Sequence, residues 1–240
     1  MHYAIIAAGE GSRLVQEGVA LPKPLVDLDG RPMIRRLIDM MCQCRAESVS
    51  VIVNEQMTDV RSYLESLSLP VPLRLVVKTT PSSMHSFYEV SSAIPLEGPS
   101  DRFVLTPVDT IFHADEFRAY VSAFADAPVE TAGFMGVTTY IDDEKPLYVD
   151  VDTPSMRITA FRDAPWPGAR YISGGIYGLD ARALGVLERC MAAGTSRMRN
   201  YQRALVEAGL DLRAYPFSKV IDVDHAGDIE KARTFIANPL

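Results

Sequence analysis

The chain has 240 residues, 48% of them hydrophobic and 23% charged, values that exclude a disordered or fibrous protein and are enough for a real core. Its 24 Lys plus Arg against 31 Asp plus Glu leave a net charge of −7, which argues against a nucleic-acid binder working through bulk charge. A small anionic ligand held in a local basic pocket remains compatible with that balance.

Read along the chain, apolar runs alternate with amphipathic ones. Tyr3 to Ala7 is a short buried strand closed by glycines. Met33 to Cys44 has helical periodicity, with Met33, Leu37, Met40, Met41 and Cys44 on one stripe. Ser50 to Val53 and Leu73 to Val77 read as strands, with a helix over Thr58 to Leu67 between them. A helix over Ser86 to Ile94 stops before Pro95, a strand follows at Phe103 to Thr106, and a helix at Ala114 to Ala125. Such alternation means βαβ units and a mostly parallel sheet. After residue 130 the texture changes. Thr131 to Thr139, Leu147 to Asp152 and Arg157 to Phe161 are strand-like without long helices between them. Ile176 to Leu179 is a further strand, helices follow near 181–193 and 199–208, and a strand over Val220 to Asp224 leads into a helix from Asp228 to Ile236. The expectation is one α/β domain over residues 1–240. Its Rossmann-like, mostly parallel (mixed) sheet is sandwiched by helices and carries a small antiparallel patch.

The three cysteines, Cys42, Cys44 and Cys190, have no disulfide-framework spacing. A structural zinc site needs about four ligands, so Cys42 and Cys44 read as buried thiols of a reduced, cytoplasmic protein. No segment approaches the roughly 20 apolar residues of a membrane helix, so no membrane partner is expected.

The informative stretch is Ala7-Ala8-Gly9-Glu10-Gly11-Ser12-Arg13-Leu14, followed by Leu21-Pro22-Lys23-Pro24-Leu25. A strand running into Gly-x-Gly lets backbone N–H groups approach a phosphate, although a tight strand exit uses the same glycines. A dinucleotide fingerprint needs a small residue where Leu14 stands, and a Walker loop needs Gly-Lys followed by Ser or Thr, so both fail. What remains is a glycine loop carrying Arg13, and Lys23 held stiffly between two prolines. Two fixed cations beside such a loop suit a triphosphate.

Gly9-x-Gly11-x-Arg13, Pro22-Lys23-Pro24-Leu25 and Leu28-x-Gly30-Arg31-Pro32-Met33-Ile34 together resemble the signature of nucleotidyltransferases that make nucleoside-diphospho sugars and related activated alcohols. The resemblance implies a nucleoside triphosphate on the loop Ala8, Gly9, Gly11, Ser12, with Arg13 and Lys23 on its phosphates. It also implies two aspartates holding Mg2+. Asp109, after the apolar strand that ends near Thr106, is the first; Val108 precedes it where relatives more often have Gly. Asp224, in Val223-Asp224-His225-Ala226-Gly227-Asp228-Ile229, is the second, with Asp228 a helix N-terminal residue and Asp222 a possible assistant.

On the acceptor side the likeness thins. Relatives that activate sugars carry Glu-Lys-Pro after an Ile-x-x-Phe strand; here Ile158-Thr159-Ala160-Phe161 is followed by Arg162-Asp163-Ala164, leaving Arg162 as the substitute cation. Ser173 and Gly174 replace Asn-Ala in a segment resembling Asn-Ala-Gly-Ile-Tyr. Pro81 to Tyr88, with Ser82, Ser83 and Ser86, lies where relatives read the base and resembles the phosphocholine-activating branch; a serine-rich helix cap explains it equally. Arg197 and Arg199 offer either a phosphate contact or a solvated helix start, the second being the preferred reading.

The resemblance therefore predicts an enzyme moving a nucleoside monophosphate from its triphosphate to a phosphorylated small molecule, a sugar 1-phosphate or a phospho-alcohol. Residues 1–130 form the nucleotide half, and residues 131–240 the acceptor half with the C-terminal metal-ligand strand. Two other readings stay open. One is a metal-dependent glycosyltransferase using Asp150-x-Asp152 or Asp222-x-Asp224; the other is a catalytically silent nucleotide binder.

Overall fold

The computed structural model describes residues 1–238. The strand β1 (His2–Ala7) leads through the short helix α1 (Ser12–Gln16) and the two-residue strands β2 (Asp27–Leu28) and β3 (Arg31–Pro32) into α2 (Met33–Gln43). Next come β4 (Ser48–Val53), α3 (Thr58–Glu65), β5 (Leu73–Val77), α4 (Ser83–Ser91), β6 (Arg102–Pro107), β7 (Thr110–Ile111) and α5 (Ala114–Ala125). The second half holds β8 (Thr131–Thr138), β9 (Tyr148–Asp152), β10 (Arg157–Arg162), β11 (Tyr171–Asp180), α6 (Arg182–Ala192), α7 (Met198–Glu207), β12 (Asp211–Phe217), β13 (Ile221–Asp222) and α8 (Ala226–Ala237).

One nine-stranded sheet runs in the order β5-β4-β1-β6-β11-β8-β12-β10-β9. Its first four strands are parallel, and β11 joins them antiparallel along β6. The expected α/β class is therefore observed. The antiparallel patch is continuous with the parallel half rather than inserted beside it.

Strand β1 shows why the sheet needs helices on both faces. Tyr3, Ile5 and Ala7 point into a core shared with α2, α3 and α5; Ala4, Ile6 and Ala8 point into a second core with α4, α6 and α7. Helix α2 turns Met33, Ile34, Leu37, Ile38, Met40 and Met41 toward the first core.

The chain leaves β1 for β4 and β5 on one side and returns to β6 on the other. The crevice outside the C-terminal ends of β1 and β6 is thus the switch point where open α/β sheets bind ligands. The glycine loop follows β1, and Asp109 follows β6, so both predicted segments meet there.

Several elements differ from the sequence reading, which did not anticipate α1, β2, β3 or β7. Helix α4 starts at Ser83 rather than Ser86, because Ser82 caps it and pairs with His85 Nδ1 at 2.8 Å. The expected strand over Val220 to Asp224 shortens to β13, which pairs with β7 outside the main sheet. Strand β12, not anticipated, lies between β8 and β10 and carries Pro216. Proline is tolerated because β10 meets β12 only at Arg213, leaving the Pro216 end free on that side.

Candidate active site

Gly11 sets the shape of the loop. Its φ of 62° is left-handed, and a Cβ there would lie 3.1 Å from the Lys23 Cβ, so the loop can close over Lys23 only with glycine. Gly9 has nothing within 4 Å of the position its Cβ would take, which leaves space for a ligand. Asn54, buried just past β4, donates its side-chain N–H to the Ala8 carbonyl at 3.4 Å and accepts from Gln56 N–H and Thr79 Oγ1. It fixes the loop from below and was not singled out from sequence; a polar residue directly after an all-buried strand was the available signal.

The β7–β13 ribbon brings the two aspartates together. Its register sets Ile221 against Ile111 and Asp222 against Thr110, and the Val223 N–H then donates to the Asp109 carbonyl at 3.1 Å. Asp109 and Asp224 therefore flank the end of the ribbon. Asp228 accepts from the Asp224 and His225 N–H groups, the helix-capping role read from the sequence. Glu17, at the end of α1, pairs with His225 Nδ1 and accepts from the Ala226 N–H, both at 2.6 Å. The glycine-loop helix is thereby tied to the start of α8.

At the centre stands Lys23. Its Nζ lies 2.5 Å from Asp109 Oδ2 and 2.7 Å from Asp224 Oδ1. Arg13 Nη1 reaches the other Asp224 oxygen at 3.1 Å. Burial alone would lower the Lys23 ammonium pKa, but the Asp109 charge and the hydrogen bonds to both carboxylates outweigh it and raise it. Burial likewise works to raise the Asp224 carboxyl, yet Lys23 and Arg13 hold it below the ordinary carboxylate value. Asp222 differs: it has no ion-pair or side-chain hydrogen-bond partner among the described residues, although water reaches it in the open cleft. Protein crowding first, then the charges of Asp109, Asp224 and Asp143, push its carboxyl up to about 8.

Ala8, Gly9, Gly11, Ser12, Arg13, Lys23, Ser83, Asp109 and Asp224, the residues singled out in the sequence, all line one cavity. On the far side of Asp224 two adjoining cavities share Asp143, Ser173, Arg199 and Asp222. Strand β11 is irregular between Ser173 and Tyr177, where Gly175 has a φ of 71°, and this break opens the wall of the cleft. Arg197 and Arg199 face the second of these cavities rather than forming only a solvated helix start. Arg162, by contrast, lines neither. It pairs with Asp150 at 3.1 Å and lies over the Trp166 ring at 5.1 Å, so the cation expected from the motif comparison is turned away.

The donor set suits a hard cation, since two carboxylates converge on one positive centre that Lys23 fills here. Among the described residues, no group of three or more His, Cys, Asp or Glu forms a ready metal cage. No helix is long and apolar enough to cross a membrane among them.

Residues 3–155 match the MobA-like NTP transferase domain. The whole chain is 22% identical to the bifunctional protein GlmU of Methanococcus maripaludis and spans about half of that curated relative, 55% of its length. Among solved structures, a putative glucose-1-phosphate thymidylyltransferase from Bacillus anthracis, in complex with a sucrose, superposes with a TM-score of 0.84 at 21% identity, covering 100% of this chain and 96% of that one. The inositol-1-phosphate CTP transferase from T. maritima gives 0.77 at 19% identity, covering 99% and 98%. At those identities the structural likeness shows the fold. The match over residues 3–155 goes further: the chain belongs to the MobA-like NTP transferase family and is a nucleotidyltransferase.

Proposed function

We propose that the protein transfers a nucleoside monophosphate from a nucleoside triphosphate to a phosphorylated small molecule, a sugar 1-phosphate or a phospho-alcohol such as phosphocholine or inositol phosphate. The observation that carries this reading is the meeting of Arg13, Lys23, Asp109 and Asp224 beside the glycine loop at the sheet's switch point. An acceptor phosphate oxygen attacks the α-phosphorus in line. The new P–O bond forms as the bond to the β-phosphate oxygen breaks, and pyrophosphate leaves with that electron pair. Two anions must meet, so alignment and neutralisation of charge are the main demands on the protein.

Backbone groups from Ala8 to Ser12 cradle the triphosphate, and Ser83 stands at the base side. Arg13 and Lys23 bind the phosphates. Asp109 and Asp224 would hold Mg2+, which when bound neutralises charge on the α-phosphate and takes its remaining oxygens from substrate and water. No nucleophilic side chain is needed. Residues 1–130 serve the nucleotide and residues 131–240 the acceptor, with Asp224 returning to the nucleotide side. The free thiols Cys42, Cys44 and Cys190 support a cytoplasmic setting.

The glycosyltransferase reading loses its Asp150-x-Asp152 motif, because Asp150 is engaged by Arg162 and Asp152 by Ser155 and neither lines the cleft; for Asp222-x-Asp224, which does line it, pyrophosphate release from a triphosphate separates the two readings. The test is a pyrophosphate-release screen of four triphosphates against sugar 1-phosphates, phosphocholine, phosphoethanolamine and inositol phosphates. Turnover with at least one pair is expected. No release from any pair, with the protein folded, overturns the proposal.

A further inference from the structure

Three strand ends lie side by side under the triphosphate cavity. The sheet order β5-β4-β1 sets β4 between the strand that leads into the glycine loop and the strand that leads into residues 78–82. The segment after β1 and the segment after β5 both line the cavity, the first on the phosphate side and the second, from Thr80 to Ser83, on the base side of the proposed nucleotide. Adjacent strands lie about 4.8 Å apart, so two segments with one strand between them start about 10 Å apart. Among the described residues no hydrogen bond joins the two segments directly. Asn54, the first residue past β4, stands in the gap. It is 4% exposed and does not itself line the cavity.

One amide spans the gap in both directions. Its N–H donates to the Ala8 carbonyl at 3.4 Å, and its oxygen accepts from Thr79 Oγ1 at 3.1 Å. Glu55, next in the chain, accepts the Thr79 N–H at 3.3 Å. The tie continues beyond Thr79: the Thr80 and Ser86 hydroxyls lie 2.6 Å apart, and Ser86 Oγ donates to the Ser82 carbonyl at 3.3 Å. Only a side chain with a donor and an acceptor can hold both neighbours at once. A nucleotide touches both segments, and each of its ends helps the other to bind only while the spacing of the two segments is held. We infer that Asn54 is a positioning residue that keeps the phosphate-side and base-side segments at nucleotide spacing, so that the two ends of the triphosphate bind as one. The inference rests on the nucleotidyl-transfer reading and adds to it a residue that the substrate does not touch.

The experiment compares a whole nucleotide with its phosphate end alone. For the wild type, Asn54→Ala and Thr79→Val, the KM of the triphosphate that the pyrophosphate-release screen selects is measured, together with the Ki of inorganic tripolyphosphate as its competitor. Thr79 is exposed and valine keeps its shape, so Thr79→Val retains the fold even if Asn54→Ala does not. The triphosphate KM is expected to rise about tenfold in Asn54→Ala and about threefold in Thr79→Val, with kcat within about twofold of wild type. The Ki of tripolyphosphate, which reaches only the phosphate side, should stay within about twofold of wild type. A Ki that rises in parallel with KM means that the glycine loop itself has lost its shape, and overturns the inference. An unchanged KM in either folded variant also overturns it and leaves nucleotidyl transfer standing. Tripolyphosphate that fails to inhibit the wild type takes the phosphates off the loop and overturns it as well. No pyrophosphate release by the wild type from any pair overturns both readings.

Discussion

Lys23 occupies the point where its two carboxylates would otherwise receive a divalent cation. Lys23→Met removes that competitor. We expect Mn2+ to bind the nucleotide-free protein more tightly, by about tenfold or more, an effect of about 1.4 kcal/mol, while turnover falls to background. Electron paramagnetic resonance of free Mn2+ checks the first effect, and pyrophosphate release the second; unchanged Mn2+ affinity would sink the idea that the ammonium and the ion share a place. Lys23→Arg should rescue turnover poorly, because a planar guanidinium cannot sit between Asp109 and Asp224 as a compact ammonium does. Asp109→Ala and Asp224→Ala should each cost turnover more than tenfold, about 1.4 kcal/mol in barrier, with circular dichroism unchanged. Arg162 reverses an expectation. Motif comparison gave it the acceptor, but its contacts with Asp150 and Trp166 lie outside the cleft. Arg162→Ala should leave the acceptor KM within about twofold of wild type, where loss of a direct contact would raise it well beyond that.

Elements were legible in the sequence to the degree that they are long and one-sided. The apolar runs of β1, β4 and β6 and the stripe of α2 announce themselves, because burial on both faces or on one stripe leaves a pattern. Ribbon β7–β13 does not, since two residues a side hold no periodicity, and neither does five-residue α1. Strand β12 was hidden by Pro216 and by the break in alternation after Ala214. The aspartates were legible by motif, whereas their approach depends on the ribbon and so was not. The glycine loop gives the sharpest test at this scale. Gly11→Ala forces a left-handed residue to carry a Cβ against Lys23, which should destabilise the protein by about 1–2 kcal/mol and raise the triphosphate KM. Thermal denaturation and initial-rate kinetics measure both; an unchanged KM would mean the loop does not touch the triphosphate.

The molecule as a whole should unfold as one unit, because β6 of the first half is hydrogen-bonded to β11 of the second, and Phe87 packs on both Phe103 and Tyr201. Trp166 is the sole tryptophan and lies in the second half of the chain, so its fluorescence reports that half alone. In urea its transition should coincide with that of far-ultraviolet circular dichroism, whereas separated midpoints would make the halves independent domains. The ribbon of β7 and β13 has one more consequence, which concerns time. A chain emerges from the ribosome at about 5–20 residues per second, and Asp109 emerges with the first half while Asp224 follows only after the whole acceptor side. A nascent chain can therefore form the glycine loop and carry Lys23 paired with one carboxylate. It still lacks the second carboxylate of the centre. If both carboxylates serve catalysis as proposed above, a triphosphate would be cleaved only once the last strand has docked, and not by a protein that has not finished folding.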